Sequence, residues 1–398
     1  MSCAAVCFAV VALLAGCAGV RGMPTPARID VRALDVGMYP LNRVTYDRPA
    51  GTYGGLVEGM RMSGAMATGL QLDPMLTAGR GGHVLADVHD AVRLGGLADA
   101  TRPVLERDRM LAGYTATAAD QPRPKSDATT SPTATVITTA LLRFPDADTA
   151  TRAATELEAA DFDVAPALNR RLLLADYGAA HIHWQPGVPT AGAFLAHGDF
   201  VLWVFAHRPS ADESDLLAWL HKVFDVQIPA LDRFRLTPER DLPNLRVDAE
   251  SMLARMMTRD RDQRAPNVES FAVLSPNAIV MGSADAGFWS RAYGDAGADL
   301  LAYLDRDTLI RARDAKSARA LMDTLVAKRH DEYVDADPPA HVPDVHCLVP
   351  KPDVPSADVQ DGKCYLAYGR YLAAVNDKDQ AEARRRAAAQ YALLANSF

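Results

Sequence analysis

Leu141-Leu142-Arg143-Phe144-Pro145-Asp146-Ala147 and Leu309-Ile310-Arg311-Ala312-Arg313-Asp314-Ala315 lie 168 residues apart and align without a gap. Each reads as the end of an apolar strand, a turn and the start of a helix. Val136 to Phe144 is dominated by β-branched and apolar residues, which predicts a strand. Pro145-Asp146-Ala147-Asp148 then turns the chain and caps a helix. Ala150, Ala153, Ala154 and Leu157 fall at i, i+3, i+4 and i+7, one apolar face. Ala318, Leu321, Met322 and Leu325 repeat that face in the later stretch.

Working outward, the agreement continues. His181 to Trp184, Ala193 to Ala196 and Phe200 to Ala206 read as strands, the last two joined by a turn at His197-Gly198-Asp199. Ser210-Ala211-Asp212-Glu213 reads as a capping box opening a helix whose face is Leu216, Leu217, Leu220, Val223 and Phe224. At an offset of 171, Gly369-Arg370-Tyr371-Leu372 to Val375 lies on Gly198-Asp199-Phe200-Val201 to Val204. Ala387, Ala388, Tyr391, Leu394 and Ala395 supply the matching helix face. Two strand-helix pairs that keep order, spacing and apolar phase mark an internal duplication. The expected fold is α+β: two tandem related domains, each an antiparallel sheet with helices packed on one face. The first runs over 30–235 and the second over 247–398, with 236–246 between them as a linker marked by Pro238 and Pro243.

The remaining segments are read around that frame. Asp30 to Arg43 is expected to start the first domain. In Gly51 to Gly69, Val57, Met60, Met62 and Met66 suggest a packed helix face; the P-loop ending Gly-Lys-Ser/Thr is missing. Arg61-Met62 and Arg255-Met256 are taken as equivalent positions on each copy's first helix. Val84 to Leu94 fits either a strand or a short helix. Thr115 to Thr133, with Pro122, Pro124 and Pro132, shows no apolar period and is expected to be a mobile surface loop.

Ala4 to Leu14 is an uncharged apolar run of eleven residues, too short to span a bilayer and suited to a secretory signal. Leu14-Ala15-Gly16-Cys17 matches the bacterial lipobox at every position. The expectation is a signal peptide over 1–16, lipidation of Cys17, a tether over 17–29, and a protein held at the extracytoplasmic face of the cell membrane. Met1 to Gly16 carries no Lys or Arg, which leaves open a start further upstream. The formal net charge is −8 with 23% charged and 49% hydrophobic residues, as for a globular body with a core. An acidic chain without a basic stripe argues against nucleic acid.

Beyond Cys17 only Cys347 and Cys364 remain, an even pair in an oxidising compartment, where a disulfide is expected. The competing reading has two reduced thiols holding a metal with His341 and His346. His181 and His183 share a strand face, but a lone His-x-His without a third ligand is read as two solvated side chains, not a metal site. Asp146, Asp148, Asp212 and Glu213 stand at helix starts, where capping explains them. Trp184, Phe200 and Trp203 belong to a sheet core or, if exposed, line an apolar groove. No Gly-x-Ser-x-Gly or His-Glu-x-x-His is present, and no catalytic residue, cofactor-binding residue or metal ligand is assigned.

The chain resembles actinobacterial lipoproteins of unknown function with two tandem α+β domains and a lone Cys pair near the C-terminus. The residues that carry this are Leu14 to Cys17, Asp35-Val36-Gly37-Met38-Tyr39, the Arg61-Met62 helix, the paired strand-helix units, and Cys347 with Cys364. Each half is also similar to the extracellular sensor domain of membrane-anchored serine/threonine kinases from the same bacteria. The resemblance implies location and architecture and brings no catalytic residues. The expected function is a non-catalytic envelope module that binds an unknown ligand or protein, with the membrane as partner through its anchor. The alternatives are a lipid carrier with an apolar cavity and an enzyme without a recognisable motif.

Overall fold

Asp146 ends the Val136 strand and starts a helix because its side chain accepts from the Thr149 N–H at 2.7 Å. Asp314 repeats this on Ser317 at 2.8 Å. A computed structural model describes residues 29–46, 48–123, 131–262, 264–354 and 361–397. Cys17, the signal segment and nearly all of the tether lie outside the described residues.

In the first half, α1 (Gly54–Met62) and α2 (Gly69–Leu72) precede β1 (Ala78–Leu85). α3 (Val88–Arg93) and α4 (Arg102–Arg107) lead to β2 (Ala112–Ala119). Then come β3 (Val136–Arg143), α5 (Ala147–Phe162), β4 (Arg170–Leu172), β5 (His181–Trp184), β6 (Thr190–His197), β7 (Phe200–His207) and α6 (Glu213–Asp232). The second half has β8 (Phe271–Leu274), α7 (Asn277–Gly282), α8 (Ala286–Ala296), β9 (Leu300–Leu304), β10 (Asp307–Arg311) and α9 (Ala315–Arg329). It ends with β11 (Tyr333–Ala336), β12 (Val345–Pro350), β13 (Gly362–Tyr368), β14 (Tyr371–Asp377) and α10 (Gln380–Ala395).

Each half builds one seven-stranded antiparallel sheet. The strand orders are β1-β2-β3-β7-β6-β5-β4 and β8-β9-β10-β14-β13-β12-β11, the same path traced twice. The registers match too: Arg143 pairs with Phe200, and Arg311 with Tyr371. Gly198 and Gly369 each begin a two-residue hairpin turn with φ near +54°, a conformation other residues resist. The fold is therefore α+β with two tandem domains.

The helices cover both faces of each sheet, not one. Val201, Trp203 and Phe194 face α5, whereas Leu202, Val204 and Leu195 face α6. The strand Phe200 to Ala206 is apolar at consecutive positions, the pattern of a strand buried on both sides. α9 and α10 cover the second sheet in the same way.

Other expectations are corrected. Thr115 to Ala119 is the second half of β2, hydrogen-bonded between β1 and β3; its small Ala and Thr side chains hid a strand whose neighbours supply the bulk. Residues 120–123 and 131–133 flank it, and 124–130 lie outside the described residues. Val84 to Leu94 is both a strand end and a helix. Asp212, not Ser210, caps α6, accepting from the Asp215 N–H at 2.9 Å. α6 and α10 start at Asp212 and Asp379, an offset of 167, and their glutamines Gln227 and Gln390 lie 163 apart, so the expected register of 171 slips by one turn at the helix start and two at the glutamine while keeping its phase. Gln227 accepts from the Ala67 N–H and donates to the Ala65 carbonyl; Gln390 does the same to Met257 and Arg255. This clamp makes Met66 the partner of Met256, rather than Met62.

Residues 30–46 pack on the second half. Leu34 and Tyr46 join its core, Tyr46 meets Phe271 edge-on at 5.1 Å, and the Tyr39 hydroxyl donates to Glu382 at 2.8 Å. The halves share a core as well: Ala272, Leu274 and Met281 pack with Met60, Val84 and Tyr114. The stretch after α6 is pinned. Buried Glu58 accepts from the Thr237 N–H at 3.1 Å, its hydroxyl at 3.0 Å, and Arg143 Nη1 at 2.8 Å. Removing one member of such a buried pair costs about 3–5 kcal/mol, because the other charge stays behind.

Candidate ligand-binding site

The duplication makes the two halves controls for each other. Trp203 on β7 sits opposite Ala140 and Phe194; Ala374 on β14 sits opposite Thr308 and Tyr365. The two positions are therefore equivalent. In the first half the indole fills the space under α5, 4% exposed, stacked on Phe205 and packed near Phe194. In the second half that space has no side chain to fill it, and a pocket of 390 Å³ opens between the sheet, α8 and α9. Its walls are aromatic: Trp289 and Tyr293 from α8, Tyr303 from β9 and Tyr365 from β13. The volume falls within the range of small-molecule sites.

The pocket also carries convergent polar groups. Lys363 Nζ donates to Asn376 Oδ1 at 2.8 Å. Arg306 pairs with Asp361, and Asn376 Nδ2 donates to the Arg306 carbonyl at 2.6 Å. Arg329 stands at the same site and is hydrogen-bonded to Tyr365. Arg306 is thus held by Asp361 and Arg329 lies 3.5 Å from Glu332, while Lys363 is bonded to a neutral amide. Burial, helped by the Arg329 charge, pulls the Lys363 ammonium below its ordinary range. Desolvation pushes Tyr303 up to about 12 and raises Tyr293, so both remain neutral hydroxyls. Asp361 is 4% exposed, and its Oδ1 has no hydrogen-bond partner among the described residues. A buried acceptor left unpaired is costly unless a donor arrives.

The residues singled out from sequence lie elsewhere. His181 Nε2 meets Thr155 Oγ1 at 3.0 Å. His183 is not solvated as expected but buried, 3.3 Å from Glu158 and 3.7 Å from Asp161, with the Phe162 ring edge-on at 5.9 Å. Among the described residues no three His, Cys, Asp or Glu side chains form a set able to hold a metal. Cys347 and Cys364 are bridged across paired strands, so neither is free to join His341 and His346 around a metal. The bridge occupies the place that the apolar pair Ile182 and Ala193 holds in the first half. Trp184, Phe200 and Trp203 are buried, and Asp146 and Asp212 cap helices. Ala374, Lys363 and Asp361 were not singled out. The signal was available: at the offset of 171, Ala374 falls on Trp203 and Asn376 on Phe205.

The fold and the pocket define a tandem α+β protein with an aromatic-walled pocket inside its second domain. Residues 45–247 match the N-terminal part, and residues 252–397 the C-terminal part, of a domain of unknown function (DUF7373). The chain belongs to this family. No curated protein matches it. Among solved structures it is similar to the extracellular domain of PknH from Mycobacterium tuberculosis, at 13% identity over 47% of this chain and 100% of that one. The TM-score is 0.27, too low an overlap to bear on function.

Proposed function

We propose that the protein is a non-catalytic binding module of the cell envelope whose second domain holds a small ligand with an aromatic body and an acidic head. The observation that carries this reading is Ala374 standing where its duplicate has Trp203. The two halves share strand order and register, so the missing indole leaves room in the second that the first does not have. The aromatic walls suit a flat apolar body, and Lys363 and Arg329 suit an anion. The unpaired oxygen of Asp361 suits a hydroxyl on the same ligand.

Location is part of the proposal. The lipobox at Cys17 supports an acyl anchor, and the Cys347–Cys364 bridge fits an oxidising compartment. Among the described residues no helix is long and apolar enough to cross a membrane. A lipid carrier with an apolar cavity inside one domain has less support: both faces of each sheet are packed, and the intradomain pocket is small.

Titration with anilinonaphthalene sulfonate, an aromatic acid, tests the site. Saturable binding is expected, lost in Ala374→Trp and weakened about tenfold in Lys363→Ala. Binding that ignores both changes contradicts the assignment. A hydrolytic activity abolished by changing Lys363 or Asp361 alone would replace it with the enzyme reading.

A further inference from the structure

A second cleft, of 550 Å³, lies where the two halves meet. Its floor is apolar, from Met60, Phe234, Val273 and Leu300. Its rim carries Arg61, Arg233, Arg235 and Arg246, all exposed. This is an unusual cluster on a chain of net charge −8. The two carboxylates on the opposite wall, Glu250 and Asp299, are both taken by Arg311, at 2.8 Å and 2.7 Å. Arg61 is held by Glu58 and lies over the Phe234 ring at 5.3 Å. The side chains of Arg233 and Arg235 have no partner among the described residues. Arg246 has a partner of its own and Arg311 holds both opposite carboxylates, so Arg233 and Arg235 are the rim cations left for a ligand.

From this we infer that the cleft binds a monomeric anionic amphiphile, a single acyl chain with a carboxylate or phosphate head. Guanidinium forks match such heads bidentately, and arginine stems extend the apolar floor. Met60, Val273 and Leu300 offer aliphatic and thioether surface beside the single ring of Phe234, which suits a flexible chain, whereas the pocket beside Ala374 is walled by four aromatic side chains. The inference is independent of that pocket, and its test keeps the two apart.

The experiment is calorimetric titration of the full chain carrying Ala374→Trp, so that the second-domain pocket is closed, with laurate below its micelle concentration. One saturable site is expected. Arg233→Ser together with Arg235→Ser should weaken it at least tenfold, and Ala249→Trp, at an exposed position in the cleft, should block it without touching either core. Dodecanol, which lacks the anionic head, should not bind. Absence of a saturable site overturns the inference, as does laurate affinity unchanged by removing both arginines. Binding of anionic vesicles in place of free laurate overturns it too, because the occupant would then be a bilayer surface.

Discussion

Exchanging the residues at one duplicated position should have opposite consequences in the two halves. Trp203 is 4% exposed and ringed by Phe194, Phe205 and the chain at Gly96. An aromatic side chain buries about 150–250 Å², worth roughly 4–6 kcal/mol at 25 cal/mol per Å². Core Trp→Ala changes cost about 3–5 kcal/mol. Trp203→Ala should therefore lose about 3–5 kcal/mol. Ala374→Trp enters a pocket of 390 Å³ rather than a closed core. The area its indole buries is offset by lost rotamer freedom and by partial desolvation of Lys363 and Asn376. Its stability should stay within about 1 kcal/mol of the parent, where overpacking a filled core costs about 1–3 kcal/mol. Urea denaturation followed by circular dichroism measures both. If Ala374→Trp destabilises by more than about 3 kcal/mol, the space is not open. If Trp203→Ala costs less than about 1 kcal/mol, the first half is not filled as described, and the comparison between halves fails.

Three further outcomes are expected. Removing the Cys347–Cys364 bridge, which closes a separation of 17 residues, should cost about 3 kcal/mol, and Cys347→Ile with Cys364→Ala, copying the first half, should lose less than Ala at both sites; equal losses in thermal melts would refute the equivalence. Burial raises Asp248 and Asp307 to about 6. The folded chain thus binds those protons before the unfolded chain does, and each carboxyl adds about 1 kcal/mol of stability at pH 5 relative to pH 7, lost again as pH rises through 6. His83, lowered by burial, works in the other direction, so the clean readout is the difference between parent and Asp248→Asn, which should change by that amount between the two pH values; a difference independent of pH refutes it. Cys17→Ser should abolish palmitate labelling and membrane retention; labelling that survives contradicts the anchor.

The duplication, the capping aspartates and the Gly198 hairpin were legible because they depend on local chemistry repeated at fixed offsets. β2 was not, because Ala116, Ala118 and their Thr neighbours show no apolar period, and their strand is imposed by pairing on both edges. The placement of residues 30–46 on the second sheet was hidden as well. It depends on contacts such as Tyr39 with Glu382, 343 residues away. Helices on both faces could have been read from the unbroken apolar run in β7. The pocket was hardest to see, since it is made by an indole that is missing, and a missing side chain forms no motif.

The central claim is that the second domain uses the space its duplicate fills. Native mass spectrometry of the chain extracted from its own membrane tests this most directly, with parent and Ala374→Trp side by side. The parent should carry an added small-molecule mass that the variant, equally folded, lacks, whatever the cleft between the halves holds in both. An identical set of added masses on parent and variant, or none on either, would contradict the account.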